Sequence, residues 1–171
     1  MERVQVDVKS VRRNVATVFQ DWMLLTCGEN APGKFNAMTI GWGFWGFAWS
    51  KPIAIVLVRH QRYTYEFMEK YGDFSICSFG EEHRGALSLL GTKSGRDGDK
   101  IGESGLTPVA SKKILSPSYE EANFVVECRK IHASDLGKES IFTDYIQSMY
   151  NAPEEYHKLY FGEIVSIEEA V

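Results

Sequence analysis

Little in this chain points to cross-links, metals, membranes or nucleic acid. It has only three cysteines, Cys27, Cys77 and Cys128, in 171 residues. An odd count at wide spacing excludes a disulfide framework and offers no zinc pattern, so buried thiols in a reducing compartment are expected. The four histidines are scattered, with His60 and His83 expected at the surface. They form no H-x-x-x-H pair for a metal and no spacing that argues a Ser-His-Asp or Cys-His arrangement. No apolar run approaches the roughly 18 residues of a membrane span. The opening MERVQVDVKSVRRN lacks the apolar centre of a secretory signal. A cytoplasmic protein with no membrane contact is therefore expected. The net charge is −4 with both signs mixed along the chain, which leaves no basic footprint for nucleic acid.

What is present reads as β-structure in a single domain over residues 1–171. Val15 to Cys27 is rich in β-branched and aromatic residues and stops at Gly28. Phe35 to Trp42, Phe74 to Phe79, Asn123 to Ile131 and Tyr160 to Ile167 read as further strands. Pro52 to Arg59 is almost wholly apolar, as in a strand buried on both faces. A helix is predicted over Thr64 to Tyr71, with Thr64 as N-cap and Gly72 as stop. A short helix is predicted over Glu82 to Leu90. A third is suggested over Glu139 to Tyr150 by Ile141, Tyr145 and Met149 at helical spacing. Gly91 to Gly105 reads as a polar loop. Many strands, few short helices and no βαβ alternation predict a mostly β fold, an antiparallel barrel with helical insertions.

Three patterns bear on chemistry. Gly41, Gly43 and Gly46 spell G-x-G-x-x-G, the fingerprint of a dinucleotide site. That site must open a crossover helix between parallel strands. Pro52 begins the next strand only six residues after Gly46, and a crossover of about ten or more residues cannot fit. Glycines that let a strand bend at a barrel corner explain the run better. The second pattern is RHQRYT, Arg59 to Thr64. Here arginines flank a helix start, whose free N–H groups and positive dipole end suit a phosphate. The third is GTKSGRDGDK, where Lys93, Arg96 and Lys100 stand among small residues but also beside Asp97 and Asp99. It is not a P-loop, and by composition alone a solvated loop explains it equally.

Taken in order, N-A-M-T (Asn36, Ala37, Met38, Thr39), S-K-P (Ser50 to Pro52), the Arg59–Thr64 turn, V-E-C-R (Val126 to Arg129) and Y-F-G-E-I-V (Tyr160 to Val165) carry a resemblance. The chain resembles the flavin reductase-like family of FMN-binding split barrels, in its flavoredoxin-type branch. The resemblance implies a Greek-key antiparallel split β-barrel that binds FMN as a homodimer. It implies that the backbone of Asn36 to Thr39 lies beside the flavin ring and that Ser50 and Pro52 carry the chain along the cofactor. Arg59, Arg62, Tyr63 and Thr64 would approach the phosphate, and Ser94 and Lys100 of the glycine-rich loop are expected to contact the cofactor as well. Many such reductases have Asp-His before the last strand. His157 matches the His, but Tyr156 stands in place of the Asp. The implied activity is hydride transfer from NAD(P)H to FMN. The alternative is a flavoredoxin-type carrier that relays electrons between a redox protein partner and another.

Overall fold

The computed structural model describes residues 2–11, 19–152 and 155–171. Among the described residues, ten strands and four short α-helices follow one another. The strands are β1 (Arg3–Val6), β2 (Met23–Gly28), β3 (Phe35–Ile40), β4 (Gly43–Ala48), β5 (Lys51–Arg59), β6 (Asp73–Ser78), β7 (Pro108–Val109), β8 (Ser118–Tyr119), β9 (Phe124–Asp135) and β10 (His157–Ala170). The helices are α1 (Tyr63–Lys70), α2 (Arg84–Thr92), α3 (Lys100–Ser104) and α4 (Asp144–Gln147). The main sheet runs β3-β2-β6-β9-β10-β5-β4, with β1 added on β10, and every pair is antiparallel. Strands β5 and β6 are consecutive yet separated by β9 and β10, the crossing connection of a Greek key. The fold is the antiparallel split barrel that the resemblance implies.

The split lies between β3 and β4. These strands are joined only by Gly41 and Trp42, yet they form the two ends of the sheet. The free edge of β3 therefore keeps main-chain N–H and C=O groups outside the ladder. The run GWGFWG spans the joint and the start of β4, which pairs antiparallel with β5 and leaves no place for a dinucleotide crossover. At Gly43 a Cβ would collide with the ring of Phe19, so the glycine permits that close approach. Two apolar cores fill the molecule. The larger gathers Leu25, Met38, Val56, Met68, Phe74, Phe124 and Tyr160 inside the barrel. The smaller gathers Leu24, Ala37, Leu87, Leu90 and Tyr119 under α2. The three cysteines are free and buried, and burial pushes the thiols of Cys27 and Cys77 up to about 12.

The structure departs from the sequence reading in several places. Residues 15–18 of the first expected strand lie outside the described ones. Phe19 to Asp21 make a turn, Trp22 takes φ +58, and the strand starts at Met23. Strand β5 is fully buried on one face only, with Ile55 and Leu57 half-buried on the other. The expected helix over 139–150 shrinks to the four residues of α4. Tyr145 is exposed there, so its helical spacing reports no core contact. The polar loop contains α3, because Asp99 caps it by accepting from Gly102 N at 3.0 Å. His60 and His83 are half-buried, with ring nitrogens against Asp135 at 2.9 Å and Glu82 at 3.7 Å.

Candidate functional site

The β5–α1 turn and the 92–94 stretch close on a small polar cavity of about 90 Å³. Asn36, Arg62, Thr64, Ser94 and Lys100 all line it, beside Gln61, Tyr63, Thr92 and Lys93. Helix α1 begins here, but Thr64 is not its cap. Arg62 holds the N-cap position, and Thr64 sits one turn-residue inside, with its hydroxyl accepting from Asn36 Nδ2 at 2.8 Å. Both partners are buried. This cross-link fixes the start of β3 to the start of α1, whose first N–H groups lack intrahelical partners.

The cations of the site are held without acids. Arg62 Nη2 donates to Gly91 O at 2.7 Å. Lys100 Nζ donates to Leu90 O at 3.0 Å and Lys93 O at 3.1 Å, and only 3% of the residue is exposed. Among the described residues neither side chain has a carboxylate partner, and the same is true of Arg59. Burial lowers the Lys100 ammonium to about 8, with the charge of Arg62 adding to the effect. Burial also lowers the Arg62 guanidinium, followed by the charge of Arg59. The half-buried Arg62 thus disfavours the charge of the buried Lys100, a repulsion that an anion in the cavity would relieve. The other loop cations are already neutralised. Lys93 pairs with Glu103 at 2.6 Å, and Arg96 pairs with Glu66 at 2.5 Å while lying over the Tyr63 ring.

The remaining expected residues distribute unevenly. The Ala37 and Met38 side chains sink into the two cores, so only their main chain can meet a ligand. Thr39 Oγ1 donates to Leu87 O at 2.5 Å, which seats α2 on β3. Ser50 and Pro52 are not brought to the cavity: they lie just before and at the far end of β5, about 30 Å and about 23 Å from Arg59 at the usual rise of about 3.3 Å per residue. His157 opens β10 opposite Arg59 of β5 and is buried. Its ring lies 5.3 Å from that of Trp42, and Tyr150 Oη is 2.9 Å from its Nδ1. Burial lowers the His157 imidazole to about 4, with Arg59 and then His60 adding to the effect. Sequence reasoning missed Gln61, Thr92 and Tyr150. Gln61 lies inside the turn already singled out, and Thr92 borders Lys93. No local signal marks Tyr150. A larger cavity of about 570 Å³ shares Asn36, Tyr63 and Lys100 with the small one and extends past Phe35, Phe67 and Leu106.

The model of the flavin reductase like domain matches residues 16–170. The chain belongs to that family. A protein of unknown role from Archaeoglobus fulgidus is 29% identical over 123 residues, 72% of this chain and 67% of its own length. One from Pyrococcus abyssi is 30% identical over 100 residues, so the chain spans only 56% of that relative. Among solved structures, an FMN-binding domain of a flavin reductases-like enzyme from Shewanella baltica superposes with a TM-score of 0.68 at 16% identity. That match covers 98% of this chain and 77% of the other. A flavoredoxin of Desulfovibrio vulgaris gives 0.64 at 22% identity, over 86% and 68%. At such identities these structures establish a shared fold. Among the described residues, no helix is long and apolar enough to cross a membrane, and no cluster of His, Cys, Asp or Glu suits a metal.

Proposed function

We propose that this flavin reductase-like chain binds FMN and reduces it with NAD(P)H. The observation that carries the reading is the pair Arg62 and Lys100, one half-buried and one buried cation in a small polar cavity with no acid of the described residues to neutralise them. A terminal phosphate fits that donor set: Arg62 and Lys100 supply charge, Ser94 and Thr64 supply hydroxyls, and the first turn of α1 supplies N–H groups. Riboflavin offers no such anion, and a dinucleotide lacks its βαβ unit here.

From the cavity, β3 leads away to the Gly41–Trp42 joint as a free sheet edge. In this reading its unpaired main-chain groups would hold the polar edge of the flavin, and Trp42 with His157 stands at the far end of β3. FMN supplies the redox chemistry, accepting hydride, so no side-chain acid or base is required. The chain's own task is to anchor the phosphate, fix the ring against β3 and keep one face open to the donor. Anaerobic addition of NADH or NADPH to the FMN-loaded protein tests the donor. Saturable bleaching of the flavin absorbance is expected. If neither nucleotide bleaches the flavin but dithionite does, and a small redox protein then exchanges electrons with it, the chain is a carrier and the reductase reading fails.

A further inference from the structure

His157 occupies a position where a neighbouring acid is the common arrangement in the family it resembles, and Tyr156 replaces that acid. The structure gives the imidazole a different partner. Tyr150 Oη lies 2.9 Å from His157 Nδ1. Tyr156 is not displaced from the arrangement: its ring stacks on Tyr150 with centroids 4.6 Å apart and planes 10° from parallel. The guanidinium of Arg59 lies 5.7 Å from the centre of the Tyr150 ring. Tyr150 is thus clamped from two sides with its hydroxyl aimed at one nitrogen of a buried histidine.

We propose that Tyr150 is a positioning residue that fixes His157 as its neutral Nε2–H tautomer, so that this N–H is offered to a ligand beside Trp42, at the joint of β3 and β4. The ligand rests on the FMN-binding reading; the tautomer does not.

The groups facing His157 make a charged imidazole unfavourable. Arg59 pairs with it across β5, and His60 follows in the next turn. Asp135 is taken up by His60 Nε2 at 2.9 Å, and Trp42 presents an uncharged ring. Burial holds the Tyr150 hydroxyl above its ordinary range, so it keeps its proton. A protonated phenol is a stronger donor than acceptor toward a neutral imidazole, and donation to Nδ1 leaves the proton of the ring on Nε2. A carboxylate in the same place would instead accept from Nδ1–H and favour the cation. Among the described residues Nε2 has no hydrogen-bond partner. It is therefore free to meet a ligand. Arg59 links the two ends of the site, since its charge acts on both Arg62 at the small cavity and His157.

Nitrogen NMR of the histidine-labelled protein tests this, with the His157 signals assigned by loss in His157→Gln. In the wild type we expect Nδ1 bare and Nε2 protonated from pH 5 to 8. Adding FMN should shift the Nε2 signal while leaving Nδ1 near its place. In Tyr150→Phe the two tautomers should mix and the FMN-induced shift should be lost. A wild-type His157 protonated on Nδ1, an unchanged tautomer in Tyr150→Phe, or bound FMN that leaves Nε2 unmoved would each overturn the proposal. The wild-type tautomer reads without any variant, so a Tyr150→Phe chain that fails to fold leaves the test standing. If no FMN is taken up, the visible spectrum of the same sample shows it, and the failure belongs to the FMN reading alone.

Discussion

At the scale of single residues, Arg62 and Lys100 decide what the site can hold. A hydrogen bond to a charged group contributes about 1.5–3 kcal/mol. Arg62→Ala or Lys100→Met should therefore weaken FMN by roughly tenfold or more and leave riboflavin almost unaffected. Equal weakening of both flavins would make these residues supports of the fold. The pH dependence has a definite sign. Lys100 has its ammonium lowered to about 8, so its charge is present below that pH and lost above it. FMN affinity should fall as pH rises through about 8, and the fall should flatten in Lys100→Met. Titrations of FMN and riboflavin from pH 7 to 9.5 separate the two effects. Part of this was legible in the sequence. R-H-Q-R-Y-T announces cations at a helix start, and Lys100 stands out in the glycine-rich loop. The loop's other cations, Lys93 and Arg96, look equivalent in sequence. Only the fold shows that acids already occupy them, because Glu103 and Glu66 come from α3 and α1.

At the scale of elements, apolar alternation and turn residues marked β3, β5 and β6 well, since each is bounded by glycine, proline or a charged turn. Strands β9 and β10 instead run on past the expected Ile131 and Ile167 through polar residues that carry no apolar alternation. The expected helix over 139–150 failed because spacing alone does not say whether a face finds a core. Ile141 is buried, but Tyr145 is 74% exposed. Helix α3 was missed although Asp99, three residues before Gly102, is an N-cap signal; the polarity of the loop masked it. The β4–β5 hairpin carries its own test. Trp49 and Ser50 form its two-residue turn with φ of +50 and +57, the left-handed pair that glycine or asparagine usually supplies. Such a conformation costs a non-glycine residue about 1–2 kcal/mol, part of which glycine gives back as unfolded-chain entropy. Ser50→Gly should therefore raise stability by up to about 1 kcal/mol in a thermal melt. Because Ser50 lies the length of β5 from the small cavity, FMN affinity should not change. A loss of FMN affinity in that variant would restore Ser50 to the site.

At the scale of the whole molecule, the barrel leaves aromatic surface uncovered. Trp42, Phe44, Phe47 and Trp49 are all exposed along or beside β4, with Phe47 at 71%. Strand β4 is also a sheet end with one unpaired edge. An apolar edge of this kind invites a second copy of the chain. Light scattering at micromolar concentration should give twice the 19.4 kDa of one chain, and Phe47→Lys should shift the population toward monomer. A monomer in the wild type would mean that these rings serve something other than self-association. The central claim concerns the cofactor itself, and one measurement reaches it without any assumption about donor or partner. Chromatography of the flavin released by heat from the purified protein, after reconstitution with an equimolar mixture of FMN, FAD and riboflavin, identifies what the site selects. The account predicts a yellow protein that releases FMN almost alone. A colourless protein, or one that takes riboflavin as readily as FMN, would contradict it.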